Sequence, residues 1–393
     1  MPVKPLVSVI IPTRNRAHCL PNALNSICAQ EGLGKAFDVE IIVVDDASSD
    51  QTPDVVRGYP LVRYIRLVER RGVSGAQNEG LRAVQGSYVT FLGDDDEWLP
   101  HKLRVQVPLL AAHPEVDVVY SQALVRRDGS ESLYPDATRA PSGSVFPAML
   151  LESFCGHFAA FLARRTAFEK VGGFDESLES FEDYDLSLRL AFHFSFLFVS
   201  GAVTIYNPSP TGLWLGRAAT TAGAADLCRV IDKALQMLPD DVQHLELKRK
   251  ARARVALAAA GWLRDLEQGR TMMAGTLREY PESLLDGVSR DRVARMLEQA
   301  FLSESVARVR DICAQIEGAT RGATATGRWW IRRVIAAFWA RKAHALAYGP
   351  QPNCVDAAHA AFFALASAPW YLIRRPRLAR IIARGLLWPA PNS

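Results

Sequence analysis

SYVTFLGDDDEWLP, residues 87–100, is the stretch on which the reading of this chain turns. Tyr88, Val89, Thr90, Phe91 and Leu92 make a short apolar run that reads as a buried parallel strand. Asp94, Asp95 and Asp96 then fall where that strand leaves the sheet. In open α/β sheets this carboxyl edge is where ligands bind. Three adjacent like charges repel, so a folded chain has to offset them. A divalent cation, Mn²⁺ or Mg²⁺, shared with a diphosphate would do so, because these ions take oxygen ligands and phosphates. A solvated acidic turn ahead of the next helix, 99–112, is the other reading.

The segments on the N-terminal side alternate in kind. LVSVIIP (6–12) reads as a first buried strand ending in Thr13-Arg14-Asn15-Arg16, with a helix over 17–30 behind it. VEIIVVDDASSD (39–50) carries a second strand that ends in Asp45-Asp46, and Ser48, Ser49 and Asp50 are N-cap candidates for the following helix. LVRYIRL (61–67) is a third strand. GVSGAQNEGLRAVQG (72–86) is a helix opened by small residues and closed by Gly86. Strands alternating with helices predict an α/β fold with a mostly parallel, doubly wound sheet.

At 393 residues the chain is long for a single core, which implies two domains. Its charge divides accordingly. Residues 1–225 carry 20 basic and 26 acidic side chains, a net of −6; residues 226–393 carry 26 and 16, a net of +10. Strand signals stop near residue 225, and Ala, Leu and Arg recur at helical spacing, as in 247–269 and 289–318. The expected organisation is an α/β domain over 1–225 and a basic α-helical domain over 226–393, joined through NPSPTG (207–212). No apolar leader precedes Val7, and the six cysteines are scattered without a CxxC pair. Reduced thiols in a cytoplasmic protein, and no zinc site, are expected.

Five ordered motifs carry a resemblance: VSVIIPTRNR, VEIIVVDDASSDQT, GVSGAQNEGL, YVTFLGDDDEWLP and RRTAFEKVGGFDESLESFEDYDLSLRL. Over about residues 6–206 the chain resembles the family-2 glycosyltransferases of GT-A fold. The resemblance implies sugar transfer from a nucleotide-sugar donor to a hydroxyl acceptor, with inversion at the anomeric carbon. A glycan or lipid-linked glycan acceptor is implied, in polysaccharide or glycolipid synthesis of bacterial type. It says almost nothing about 226–393.

The resemblance also implies roles. Pro12, Thr13 and Arg14 lie where the family's nucleotide pocket begins. Asp46 matches the carboxylate that reads the base; uracil offers an N3–H, so Asp46 is compatible with UDP. Asp45 reads equally as a turn residue. Asp95 aligns with the metal-binding aspartate, and Asp94 with a position that contacts ribose or supports the metal. Many relatives have a further aspartate where this chain has Gly93, which leaves Asp94 and Asp96 to compensate. The helix 72–86 is expected close to the donor, with Asn78 near it. Asp183 aligns with the base that takes the acceptor proton, and Glu182 with its acidic neighbour. Without the other motifs, Glu182, Asp183 and Asp185 read simply as first-turn residues complementing a helix dipole.

Of the histidines, His157 is placed to face an acceptor cleft, although each alone reads as a surface or core residue. The tail has a different composition. After residue 320, eleven basic residues face the single acid Asp356, interleaved with Trp329, Trp330, Trp339, Trp370 and Trp388. These segments fit a packed helical domain or peripheral contact with an anionic membrane surface at the inner face. No nucleic-acid motif accompanies them. Two other functions fit parts of the pattern. Nucleotidyl transfer lacks its basic glycine-rich loop here, and an idle nucleotide-sugar-binding protein acting through its tail does not need both Asp95 and Asp183.

Overall fold

The computed structural model describes residues 4–262, apart from 128, 155–156 and 208–219, and beyond them the helical positions 272, 275, 276, 279, 332, 335, 336, 339 and 360. The first half is built from four parallel strands: β1 (Leu6–Thr13), β2 (Asp38–Asp45), β3 (Val62–Arg66) and β4 (Tyr88–Phe91). They lie in the order β3-β2-β1-β4. The connections run through α1 (Leu20–Cys28), α2 (Thr52–Arg57) and α3 (Gly72–Ala83). Side chains alternate across a strand. Val9 and Ile11 of β1, with Ile41 and Val43 of β2, therefore share one face, where they join Leu20, Leu24 and Ile27 of α1 and Leu103 and Val107 of α4 (Lys102–Ala112) in one core. Ile42 and Val44 turn to the opposite face and pack with Ala76 of α3. Both faces are covered, which is why these strands read as unbroken apolar runs.

With apolar residues on both faces, hydrophobicity alone specifies strand register weakly. Shape adds the discrimination. Ile10 lies so close to Gly80 of α3 that a Cβ there would stand 2.4 Å from Ile10 Cγ2. Overpacking of this kind costs about 1–3 kcal/mol.

The sheet then changes character. β5 (Glu97–Trp98), β6 (Val118–Arg127), β7 (Ser130–Tyr134), β8 (Phe161–Arg164) and β9 (Phe196–Tyr206) extend it in the order β4-β8-β6-β9-β5, with β7 hairpinned onto β6. β8 is antiparallel to both β4 and β6, β9 is parallel to β6, and β5 is antiparallel to β9. The sheet is therefore parallel where strands alternate with helices and mixed where a hairpin and α5 (Phe146–Leu151) return the chain in the opposite sense. α6 (Arg165–Val171) and α7 (Glu182–His193) follow β8. Strand order reverses at β1, between β2 and β4, so the crevice for ligands opens at the carboxyl ends of these strands.

α8 (Thr221–Gln236) and α9 (Val242–Trp262) complete the described elements. Contacts divide the chain into two compact units, 1–217 with 229–239, and 218–228 with 240–393. In the second unit Ala251, Leu257 and Ala259 of α9 are buried. Trp339 is only 1% exposed, with Ile335 and Ala336 equally buried and Arg332 exposed. Trp329, Trp330, Trp370 and Trp388 lie outside the described residues. Among the described residues no helix is long and apolar enough to cross a membrane.

Candidate active site

The strand β4 delivers its carboxylates into a tight turn. Asp96 N–H donates to Gly93 O at 3.2 Å, and β5 then pairs with β9. A Cβ at Gly93 would sit 2.9 Å from Asp96 Oδ2 and 3.2 Å from Asp95 Oδ1. A side chain at 93 would need the Asp96 and Asp95 carboxylates to shift, and the acidic group here consists of Asp94, Asp95 and Asp96.

Asp94 is buried, and its Oδ2 accepts a hydrogen bond from Thr13 Oγ1 at 2.7 Å. Arg16 completes this corner: its Nη1 lies 3.5 Å from Asp94 Oδ1 and donates to Asp95 Oδ2. Burial pushes the Asp94 carboxyl up to about 7; Thr13 and Arg16 oppose the rise, while Asp95 and Asp96 add to it. Burial, with two further carboxylates beside it, thus disfavours the ionised form of Asp94.

Asp96 is also buried. Its Oδ1 accepts from the Asn207 amide at 3.4 Å, and its Oδ2 lies 3.3 Å from His157 Nε2. That nitrogen is buried but not aligned for a hydrogen bond. The imidazole stacks on Tyr206, with ring centroids 4.4 Å apart.

The loops after β1 and β2 are tied together at the same edge. Asn15 Oδ1 accepts from the Ser49 amide at 2.7 Å, and Asp50 Oδ2 from the Ala17 amide at 3.0 Å. Asp46 takes two amides at the start of α3, Arg71 N–H at 2.6 Å and Gly72 N–H at 2.9 Å. Asp45 is spent on its own turn, accepting from the Ser48 amide and the Tyr64 hydroxyl. Among the described residues, three non-glycine residues have positive φ: Asn15 (54°), Ala47 (56°) and Phe181 (63°). They sit in the loops after β1 and β2 and at the start of α7. Strained backbone of this kind collects at functional sites.

Phe181 launches α7, and Asp183 stands in its first turn. Asp183 Oδ1 accepts from the Tyr184 amide at 2.7 Å. Desolvation raises the Asp183 carboxyl above its ordinary range; the Tyr184 amide and the charge of His157 pull the other way. His157 thus lies 3.3 Å from Asp96 Oδ2, and its charge acts on Asp183. The helix is held from below by Asp185, which is 2% exposed. Asp185 pairs with Arg189 at 2.8 Å and with Lys233 of α8 at 2.7 Å.

The structure gathers Thr13, Asp94, Asp95 and Asp96 at one corner, with Asp183 reached through His157. Pro12 is half-buried beside them at the end of β1, while Arg14 points to solvent. Asn78 belongs to another network. Its amide donates to Phe174 O at 3.0 Å and Glu176 Oε1 at 2.9 Å, and accepts from the Phe174 amide. It therefore braces the loop that leads towards α7. A cavity of about 380 Å³ beside it is lined by Leu81, Arg82, Phe168, Glu169 and Phe174, and by none of the carboxylates above. Sequence reasoning passed over Arg16, whose position in PTRNR was its only signal. It gave His157 no role of its own, because no local pattern marks a side chain that meets residues 61 before it and 26 after it.

Comparison with known proteins bears on this arrangement. The family model described as glycosyl transferase family 2 matches residues 8–172. The succinoglycan biosynthesis protein ExoO of Rhizobium meliloti is 32% identical over 193 residues, 46% of this chain and 54% of that protein. Across the curated relatives it matches most strongly, the chain spans 57–62% of their length. Among solved structures, S. aureus TarS 1-349 in complex with UDP-GlcNAc superposes with a TM-score of 0.52 at 17% identity, covering 81% of this chain and 90% of TarS 1-349. The mannosyltransferase PcManGT from Pyrobaculum calidifontis, in complex with GDP-Man and Mn²⁺, gives 0.51 at 20% identity, covering 89% of each chain. At these identities the two structures establish a shared fold, the mixed α/β sheet of GT-A glycosyltransferases.

Proposed function

We propose, from the premise that the chain carries a glycosyl transferase family 2 domain over residues 8–172, that this protein transfers a sugar from a nucleoside-diphosphate donor, UDP-linked, to a hydroxyl of a glycan or lipid-linked glycan, with inversion. The observation that carries the reading is the convergence of Thr13, Arg16 and Asp94–Asp96 at the β1–β4 switch point, with His157 3.3 Å from Asp96 and acting by its charge on Asp183.

Transfer needs three things of the chain. A diphosphate must be seated at the carboxyl edge, where Pro12, Thr13 and Arg14 leave β1 and Asp46 organises the start of α3. The acceptor hydroxyl must lose its proton as its oxygen bonds to the anomeric carbon. Asp183 is the group for that proton, while the electrons of the breaking C–O bond depart with the diphosphate. Negative charge on the leaving group must also be offset.

Mn²⁺ or Mg²⁺ fits the carboxylate corner, since Asp94, Asp95 and Asp96 offer hard oxygen donors and Asp94 and Asp96 are buried away from water. Among the described residues no three His, Cys, Asp or Glu side chains could hold such an ion unaided. Asp95 with Asp94 or Asp96 would hold it, with phosphate oxygens and water filling the rest. When bound, the cation supplies Lewis-acid stabilisation of the departing diphosphate.

Thermal shift across a nucleotide-sugar panel, with Mn²⁺ and with EDTA, tests the reading. A UDP-sugar should raise Tm more in Mn²⁺ than in chelator, and the turnover product should show an inverted anomeric centre by NMR. A panel without any shift, or a retained anomeric centre, overturns it.

The excess of basic residues after residue 320 leads us to place a peripheral contact with anionic lipid there. In flotation, binding to anionic vesicles should fall as salt rises, since exposed charges are screened over about 8–10 Å at physiological ionic strength. Absence of binding even at low salt removes this contact.

A further inference from the structure

We propose that Arg16 is the resident counter-ion of the carboxylate corner: it holds the lone pairs that a divalent cation needs, and gives them up when the donor's diphosphate draws its guanidinium away. This rests on the proposed function.

The geometry points to competition. One nitrogen of Arg16 serves two carboxylates, donating to Asp95 Oδ2 and lying 3.5 Å from Asp94 Oδ1. These are carboxylate oxygens that a divalent cation held by Asp94 and Asp95 would need. A guanidinium and a dication cannot both take those lone pairs. They also repel each other, and charges this far out of water interact more strongly than in bulk solvent. The Arg16 side chain is only 24% exposed and that of Asp94 10%.

The corner has one fixed part and one movable part. Thr13, itself buried, keeps Asp94 in place through a 2.7 Å hydrogen bond that does not depend on Arg16. Arg16 lies in the loop between β1 and α1, and its long side chain can rotate without disturbing that bond. Its alternative partner is a diphosphate, since the planar fork of an arginine matches phosphate oxygens. Cation and nucleotide would then bind cooperatively, and the cation alone would bind poorly.

The test is calorimetric titration of Mn²⁺ into wild type, Arg16→Gln and Arg16→Lys, each with and without UDP. Without UDP, Arg16→Gln should bind Mn²⁺ about tenfold or more tightly than wild type, because a competing charge is gone from a partly buried site. The gain in Mn²⁺ affinity on adding UDP should shrink in Arg16→Gln. Arg16→Lys, which keeps the charge but loses the fork, should fall between the two, and it carries the test if Arg16→Gln does not fold. Equal Mn²⁺ affinity in all three proteins, with UDP coupling unchanged, overturns this inference and leaves the proposed function standing. Absence of Mn²⁺ binding to every protein even with UDP present overturns both this inference and the metal part of that function.

Discussion

Asp183→Asn should lower sugar transfer by about 10²-fold or more, with UDP affinity close to that of wild type. The substitution keeps the size of the side chain and removes its basicity. The proposed role of Asp183 is towards the acceptor, so donor binding should not change. The environment of the carboxyl adds a second readout. Desolvation raises it above the ordinary range, so the acid limb of kcat/KM should lie above the usual aspartate value of about 3.9. The sign for stability follows from linkage. A carboxyl raised in the folded state favours folding while protonated, and that contribution is lost as pH rises through the folded value. At neutral pH the ionised group is therefore a cost, and Asp183→Asn should melt at or above the wild-type temperature. Rate assays, calorimetry with UDP and melting curves check the three parts. Undiminished turnover in Asp183→Asn removes Asp183 from the mechanism.

Lys233→Met should lower stability by about 2 kcal/mol and reduce kcat with it. Lys233 reaches from α8 to two carboxylates of the same compact unit, Asp185 at 2.7 Å and Asp175 at 2.6 Å. Removing one partner of a fully buried pair costs about 3–5 kcal/mol. Here Lys233 is 36% exposed and Arg189 still pairs with Asp185, so the smaller figure is expected. For a domain of roughly 150–250 residues, that lowers Tm by about 4–8 °C. Asp185 is two residues from Asp183 on the same helical turn, so loosening it should misplace the base. That loss should appear in kcat with donor KM nearly unchanged.

The pH dependence separates this pair from general weakening. Burial disfavours the ionised form of Asp175, but Lys233 and Ser177 outweigh it and hold the carboxyl well below its usual range. A depressed carboxyl contributes stability above its unfolded value, about 3.9, and loses it as pH falls through the folded value. The Tm difference between wild type and Lys233→Met should therefore be full at neutral pH and narrow below about pH 4. A difference independent of pH would show that Asp175 takes no part.

What the sequence by itself determined is local in origin. Mostly apolar runs at 6–12, 39–44 and 88–92, each interrupted by one polar residue (Ser8, Glu40 and Thr90), read as strands covered on both faces, and the helices between them demand parallel pairing. That pairing delivers Thr13, Asp46 and Asp94–Asp96 to one edge without further information. The resemblance carried by the five motifs also singles out Asp183, which aligns with the family's base; its place in an acidic first turn alone reads as complementing a helix dipole.

Tertiary structure decided what depends on distance through space. Arg16 and Asp95 are 79 residues apart, and His157 lies 3.3 Å from Asp96, which precedes it by 61 residues. Asn78 is drawn to the Phe174–Glu176 loop, 96 and 98 residues away, by hydrogen bonds that no periodicity encodes. Lys233 secures Asp185 from a helix that the sequence assigns to the other domain. Strand and helix identity follow from short-range sterics and the burial pattern of neighbouring residues. The charge pairs at the site follow from the packing of whole elements, which brings together side chains whose sequence separation carries no signal.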